Sequence, residues 1–258
     1  MIEAIRKRTG KWNWLSFLAV TFLCSCRDDD TDFTLAVASN FRMAAEELAN
    51  DFRNRHGIAP SIVSGSTGKL TSQIRNGAPF DIFLSADAAS PSSLQKDGFG
   101  GRTESFLYAT GTLVLYSSFP GLDVDEGAFL AEGEFRHLAI ANPEFAPYGR
   151  AARETLESLG LWREIEEKLV RGESIAQSWH FTDTGHAELG FVAASQLVRR
   201  EDLGSSWIVP ADLHTPIEQH ALLLRDSEPA NQFILYLKST EAAAIIRAHG
   251  YTPGNDVE

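Results

Sequence analysis

Apolar and polar positions along the chain switch repeatedly between two periods. Residues 33–38 (FTLAVA) make a short run of β-formers. Over residues 41–56, Phe41, Ala44, Ala45, Leu48 and Phe52 recur at helical spacing until Gly57 stops them. Residues 60–64 read as a second strand and Gly65-Ser66-Thr67-Gly68 as a loop. Residues 69–75 read as a helix ending at Asn76-Gly77, residues 81–84 as a third strand and 91–96 as a short helix. A second series begins with strands at 112–117 (TLVLYS) and 137–141 (HLAIA), followed by helices at 150–158 and 161–170. Residues 173–182 and an apolar run at 189–194 come next. Strands at 207–209 and 218–224 then precede closing helices at 229–237 and 240–249. Strands separated by helices predict an α/β fold with mostly parallel sheets, and two such series predict two lobes.

In open α/β sheets ligands bind beyond the carboxyl ends of the strands, close to helix N-termini. The residues just after each predicted strand are therefore the informative ones. They are Ser39-Asn40, then Gly65-Ser66-Thr67-Gly68, then Asn142-Pro143-Glu144-Phe145-Ala146-Pro147-Tyr148-Gly149. Each has a plain reading. Ser39 or Asn40 would cap a helix, Ser66-Thr67 would cap the helix at Lys69, and Tyr148 would be a surface tyrosine. Together they suggest one small polar ligand held by hydroxyls, backbone N–H groups and helix ends. An oxyanion fully deprotonated at neutral pH, such as molybdate, tungstate or sulfate, offers only acceptors and needs a shell of donors. Phosphate carries a proton near neutrality and would call for an acceptor. None of the turn cores holds Asp, although Glu144 flanks the third.

The first 26 residues stand apart from this pattern. Arg6, Lys7, Arg8 and Lys11 precede an apolar stretch at 14–23, too short to span a bilayer comfortably, and Arg27-Asp28-Asp29-Asp30 follows. This is the shape of an export signal. The only cysteines are Cys24 and Cys26. Leu23-Cys24-Ser25-Cys26 resembles a lipoprotein box, which would make Cys26 the acylated residue and 27–32 a tether. A plain signal-peptidase site nearby is the competing reading. The remaining chain has no cysteine, so disulfides, thiolate metal sites and Cys nucleophiles are all absent from it.

The 258 residues carry 23 cations and 35 anions, a net charge of −12, with 43% hydrophobic and 10% aromatic residues. Such a chain buries a core and is not disordered. Without residues 1–25 the balance is 19 cations against 34 anions, or −15. This excess argues against a nucleic-acid partner, whose phosphates need a basic face. It does not argue against a small anion held by neutral donors, whose reach is short. Enzyme signatures fail. Gly65-Ser66-Thr67-Gly68-Lys69 looks like part of a P-loop, but Val63 and Leu70 occupy positions where that motif needs Gly and Ser or Thr. There is no G-x-S-x-G elbow and no H-E-x-x-H, and His180 and His186 read as surface residues. Lys69, the nearest cation to the turns, reads as a solvated helix residue.

Five segments carry a family resemblance: LAVASNF (35–41), AAEELANDF (44–52), SGSTGKL with QIRNGAPFDIFLSAD (64–87), NPEFAPYG (142–149) and AELGFVAASQ (187–196). They resemble the periplasmic molybdate-binding proteins of ABC-type molybdate importers, over about residues 33–253. The resemblance implies a type II periplasmic-binding-protein fold, with two α/β lobes joined by a hinge and an oxyanion clamped between them. Lobe 1 would comprise 33–110 and 213–258, and lobe 2 would comprise 111–212. By position, the family's ligand contacts fall on Ser39, Asn40, Thr67, Tyr148 and the backbone of Ile175. Ser is more usual where Thr67 stands, and Val where Ile175 stands. One branch of the family places its tyrosine in the later apolar run, where this chain has Ala193, so Tyr148 has to serve. The implied role is that of an exported monomer, in the periplasm or on the outer face of a bacterial membrane. It would deliver molybdate or tungstate to an ABC permease, with no cofactor and no direct metal-ion ligands. Membrane contact would come only through a lipid on Cys26. The alternatives are the same scaffold binding sulfate or a small organic anion, a secreted enzyme, or an adhesion lipoprotein without a small ligand.

Overall fold

The computed structural model describes residues 33–101, 104–119, 121–124, 128–132, 135–200 and 204–256. The expected export signal, Cys26 and the tether lie outside them. The first sheet is built from β1 (Phe33–Ala38), β2 (Pro60–Gly65), β3 (Ile82–Ser85), β4 (Phe106–Gly111), β10 (Ile217–Leu223) and β11 (Thr252–Pro253). The second is built from β5 (Leu113–Ser117), β6 (Leu138–Ala141), β7 (Leu169–Gly172), β8 (Leu189–Ala193) and β9 (Ser205–Ile208). Their strand orders are β11-β4-β10-β3-β1-β2 and β7-β6-β8-β5-β9. In each sheet the strand next to one edge, β1 or β6, has a parallel neighbour on either side. The next place is taken by an antiparallel strand that has just crossed from the other sheet, β10 in the first and β5 in the second. The two sheets thus repeat one plan around the crossovers. The outgoing crossover is a single residue, Thr112, between β4 and β5. The return runs through 209–216, and Val209 N–H bonds Leu113 O beside it.

The inner parallel strands β1, β3, β6 and β8 are buried on both faces, which explains their near-continuous apolar runs. In β1, Leu35 and Val37 face one way into a core shared with α1 (Arg42–His56), α8 (Glu228–Leu237) and α9 (Thr240–Ala248). Ala36 faces the other way, toward Leu70 and Ile74 of α2 (Thr67–Arg75) and Leu94 of α3 (Ala89–Lys96). Phe33, Phe52 and Phe233 pack ring to ring, with centroids 5.2–6.2 Å apart. Each fully buried side chain of this size stabilises the fold by about 1.5–3 kcal/mol. In the second sheet, Leu138, Ile140 and Leu189 meet Ala151, Ala152 and Leu156 of α5 (Pro147–Ser158). Val114, Tyr116 and Val192 form a smaller cluster on the opposite face with Trp179 of α7 (Ile175–Asp183). A short α4 (Phe129–Glu132) and α6 (Trp162–Ile165) complete the described helices.

The apolar periodicity placed α1 well. Phe41, Ala44, Ala45, Leu48 and Phe52 are all buried, and Gly57 ends the helix at φ 72° with its N–H on Arg53 O. Three differences bear on function. β4 is absent from the sequence reading, because its six residues lack a clean alternation of buried and exposed positions. The helix expected over 161–170 is instead α6, a 3-10 turn and then edge strand β7, whose apolar pair Leu169-Val170 fits either period. Finally, α2 and α5 begin at Thr67 and Pro147, earlier than the expected 69 and 150. Thr67 and Tyr148 therefore belong to first helical turns.

Candidate functional site

Four helical segments begin at one point between the sheets. A 3-10 turn (Ser39–Phe41) follows β1, and α2 follows β2. On the other side α5 follows the Asn142–Ala146 turn after β6, and α7 follows β7. The first turn of any helix leaves N–H groups without intrahelical partners. None of these four starts is capped by a side chain. Elsewhere, α8 and α9 are capped by Ser227 and Ser239, whose hydroxyls accept N–H groups of the first turn. The plain reading of Ser39, Asn40, Ser66 and Thr67 as helix caps is therefore not what the structure shows. Nor is Tyr148 a surface residue, since it is 1% exposed.

The four starts enclose a small cavity of about 10 Å³, near the least that holds one water, about 10–15 Å³. Its lining includes Ser39, Asn40, Thr67, Tyr148 and Ile175, every residue that the sequence put forward. Ala38, Ser66, Ala86, Ala146 and Pro147 complete the wall. Of these, Ala86 could have been found by the rule that names residues just after a strand, because it follows β3. The wall contains no charged side chain. A neighbouring, larger cavity of about 290 Å³ is lined by Asp87, Arg150, Glu154 and Glu218 among others. Its carboxylates make it a poor place for a dianion. Among the described residues no group of His, Cys, Asp and Glu side chains is arranged to hold a metal ion.

The donors have defined positions. Thr67 Oγ1 accepts the N–H of Ala86 at 3.1 Å, which leaves the hydroxyl's own proton to donate. Thr67 and Ile175 are the first residues of α2 and α7, where backbone N–H groups are free of the helix ladder. Tyr148 Oη is buried without a partner in hydrogen-bond geometry. Burial, the largest cause, raises its pKa well above the ordinary tyrosine value, with Tyr251 and Tyr108 adding to the shift. The hydroxyl therefore stays protonated and remains a donor. The side chain of Asn40 is otherwise engaged: its Nδ2 donates to Gln219 Oε1 at 2.9 Å and to Tyr251 Oη at 3.1 Å. What Asn40 keeps for a ligand is its main chain at the head of the 3-10 turn. Gln219 reaches this place because β10 shifts register between Gln219 and His220.

Contacts between the two sides hold the cleft shut. Gly68 N–H donates to Phe145 O at 2.9 Å beside the cavity. Arg150 pairs with Asp87 at 2.5 Å, and Lys69 with Glu173 at 3.3 Å. Lys69 is 59% exposed, as the sequence suggested, and its ammonium serves this pair rather than the cavity. Exposed pairs of this kind contribute about 0–1 kcal/mol each.

Comparison with known proteins agrees with this geometry. The family described as bacterial extracellular solute-binding protein matches residues 33–252. The molybdate-binding protein ModA of Azotobacter vinelandii is 44% identical over 234 residues, covering 89% of this chain and 93% of its relative. The molybdate-binding protein ModA of Rhodobacter capsulatus is 43% identical over 219 residues, covering 84% and 86%. The solved Azotobacter vinelandii periplasmic molybdate-binding protein superposes with a TM-score of 0.82 at 40% identity, covering 85% of this chain and 98% of the other.

Proposed function

The chain belongs to the bacterial extracellular solute-binding protein family, and on that premise we propose that it captures molybdate, or tungstate, and delivers it to the permease of an ABC importer. One observation carries the reading. Four uncapped helix starts and neutral hydroxyls surround one enclosed cavity with no carboxylate in its wall. A tetrahedral dianion with acceptors on every oxygen matches such a shell. A ligand that keeps a proton, as phosphate does, would find no carboxylate in the wall to take it; Asp87, next to Ala86 of the wall, is held by Arg150. The names of the two curated relatives support the same ligand.

In this reading Ser39, Thr67 and Tyr148 donate through hydroxyls, and Thr67, Ile175 and the main chain at Asn40 through N–H groups. Residues 33–110 and 213–258 form lobe 1 and residues 111–212 form lobe 2. The strands of the first sheet come from 33–111 and 217–253, and those of the second from 113–208, which supports that division. The hinge lies at Thr112 and in the return segment 209–216. An oxyanion of five heavy atoms needs more room than one water, so the cleft opens to admit it and closes around it less far than here. Closure removes water and strengthens each hydrogen bond to the ion. The closed form then meets the permease, and a separate subunit hydrolyses ATP. The protein acts as an exported monomer, anchored through Cys26, and performs no chemistry on its ligand.

Titration calorimetry with molybdate, tungstate, sulfate and phosphate tests the reading. Tight binding of the first two and no heat from the others is the expected result. A protein that binds neither molybdate nor tungstate ends the proposal.

A further inference from the structure

We propose that Tyr251 is a positioning residue for the ligand cavity: its hydroxyl pins the turn after β1 to the loop after β8 and thereby sets how slowly the ligand leaves. The inference rests on reading the cavity as the ligand site. Tyr251 lies 211 residues from Asn40 in sequence and is 4% exposed. Its Oη and the Oγ of Ser195 both reach the carbonyl of Asn40, at 2.7 and 3.1 Å, and lie 2.9 Å from each other. Ser195 belongs to the 3-10 turn that follows β8, in the second sheet. Asn40 and Tyr251 belong to the first. These three residues therefore form a polar tie between the two sides of the cleft, and it touches a residue of the cavity wall.

The other side-chain ties across the cleft named above are half-exposed ion pairs, which water and salt screen. The Tyr251 tie is dry, with Asn40, Ser195 and Tyr251 each no more than 5% exposed. In such surroundings a completed hydrogen bond is stronger, and an incomplete one costs more. The ring that carries the hydroxyl is fixed independently. It packs edge-on against Phe41 at 5.1 Å, and Phe41 meets Tyr108 at 4.8 Å. Removing the oxygen alone thus leaves the packing in place.

A proton count gives the tie a second consequence. The two amide protons of Asn40 go to Gln219 and Tyr251. The protons of Tyr251 and Ser195 are used among themselves and on the Asn40 carbonyl. Tyr148 Oη stands near Tyr251 and Asn40 and meets no partner in full hydrogen-bond geometry. With their protons committed, neither neighbour donates to Tyr148 Oη. Tyr251 thus orders the turn and borders the Tyr148 hydroxyl.

The test compares wild type, Tyr251→Phe, Ser195→Ala and the double variant by calorimetry with molybdate and by stopped-flow dissociation into excess tungstate. Each single variant is expected to release molybdate about tenfold faster, with association within about twofold, because the dissociation rate carries most such effects. The double variant should release it about as fast as either single one, since both changes break the same tie. Using either end of the tie keeps the test sound if one variant folds poorly. Singles that release at the wild-type rate overturn the inference while leaving the molybdate reading intact. A double variant whose effect is the product of the two also overturns it. A wild type that binds no molybdate overturns both.

Discussion

The hydroxyl of Tyr148 stands over Gly111, where a Cβ on that glycine would lie 2.1 Å from Tyr148 Oη and 3.1 Å from its Cζ. Gly111 is the last residue of β4, directly before the chain crosses to the second sheet. A missing side chain at the crossover is thus what makes room for a hydroxyl that lines the cavity. The crossover and the cavity meet at these two residues.

Gly111→Ala forces the tyrosine away, because the clash is with an oxygen on a ring that is itself buried. Overpacking of this kind costs about 1–3 kcal/mol. The expected outcome is a lower melting temperature together with weaker molybdate binding. Pairing Gly111→Ala with Tyr148→Phe should cost less stability than the sum of the two, since the nearest atom is then gone. Differential scanning calorimetry on the four proteins checks this, and strictly additive losses would count against it.

Tyr148→Phe alone separates binding from folding. The hydroxyl is buried without a protein partner, so removing it should leave stability unchanged or slightly raised. With ligand, one oxygen of the anion loses its donor, and affinity should fall by about 1–3 kcal/mol. Unchanged affinity in a titration would remove Tyr148 from the site.

The positions around the cavity differ in how far sequence announces them. Ser39, Thr67 and Tyr148 sit in turns after legible strands, where open α/β sheets place ligands, so a local pattern suffices to find them, whereas Ile175 follows β7 and is reached only through the family resemblance. The α1 face was legible for a similar reason: five apolar residues at helical spacing leave little alternative. β4 and β7 were not, because one lacks alternation and the other is a four-residue edge strand after a helical stretch. Tyr251 and Gln219 carry no local signal at all. They meet Asn40 only because β10 and β11 return to the first sheet after the whole second sheet has been made. The engagement of the Asn40 amide could not be read from the turn that holds it.

Thr67 carries two duties that substitution can separate. Its Oγ1 accepts the N–H of Ala86, which is 1% exposed, and its proton remains for a ligand. Thr67→Ser keeps both and should bind molybdate within about threefold of wild type, the change being one methyl. Thr67→Val removes both. It should lower stability by about 1–3 kcal/mol, from the orphaned Ala86 N–H, and weaken binding as well. Parallel melts and titrations of the two variants distinguish the roles; a valine variant with normal affinity would show that the hydroxyl is not a ligand.

Gly68 tests the backbone clasp. A Cβ there would meet the Cα and carbonyl O of Phe145 at 3.1 Å, beside the 2.9 Å bond from Gly68 N–H. Backbone on both sides has little room to yield. Gly68→Ala should therefore hold the cleft slightly open. The expected signs are a larger radius of gyration with molybdate bound, measured by small-angle scattering, and faster ligand release. Scattering curves identical to wild type in both states would place the clasp outside the closing motion.

His220 predicts a dependence on acid. Its Nδ1 is buried without a partner, and Glu218 lies 3.7 Å from Nε2. Burial, the largest influence, lowers the pKa below the ordinary 6.5, while Glu218 and Asp87 pull weakly the other way. Below pH about 6.5 the unfolded chain then binds a proton that the folded chain resists. The stabilising contribution is present above that value and is lost as pH falls through the lowered folded value. The slope cannot exceed about 1.4 kcal/mol per pH unit for a single proton. Urea unfolding of wild type and His220→Gln at pH 7.5 and 5.5 should show a smaller acid loss in the variant. Equal losses in both proteins would mean that other groups set the acid limit of the fold.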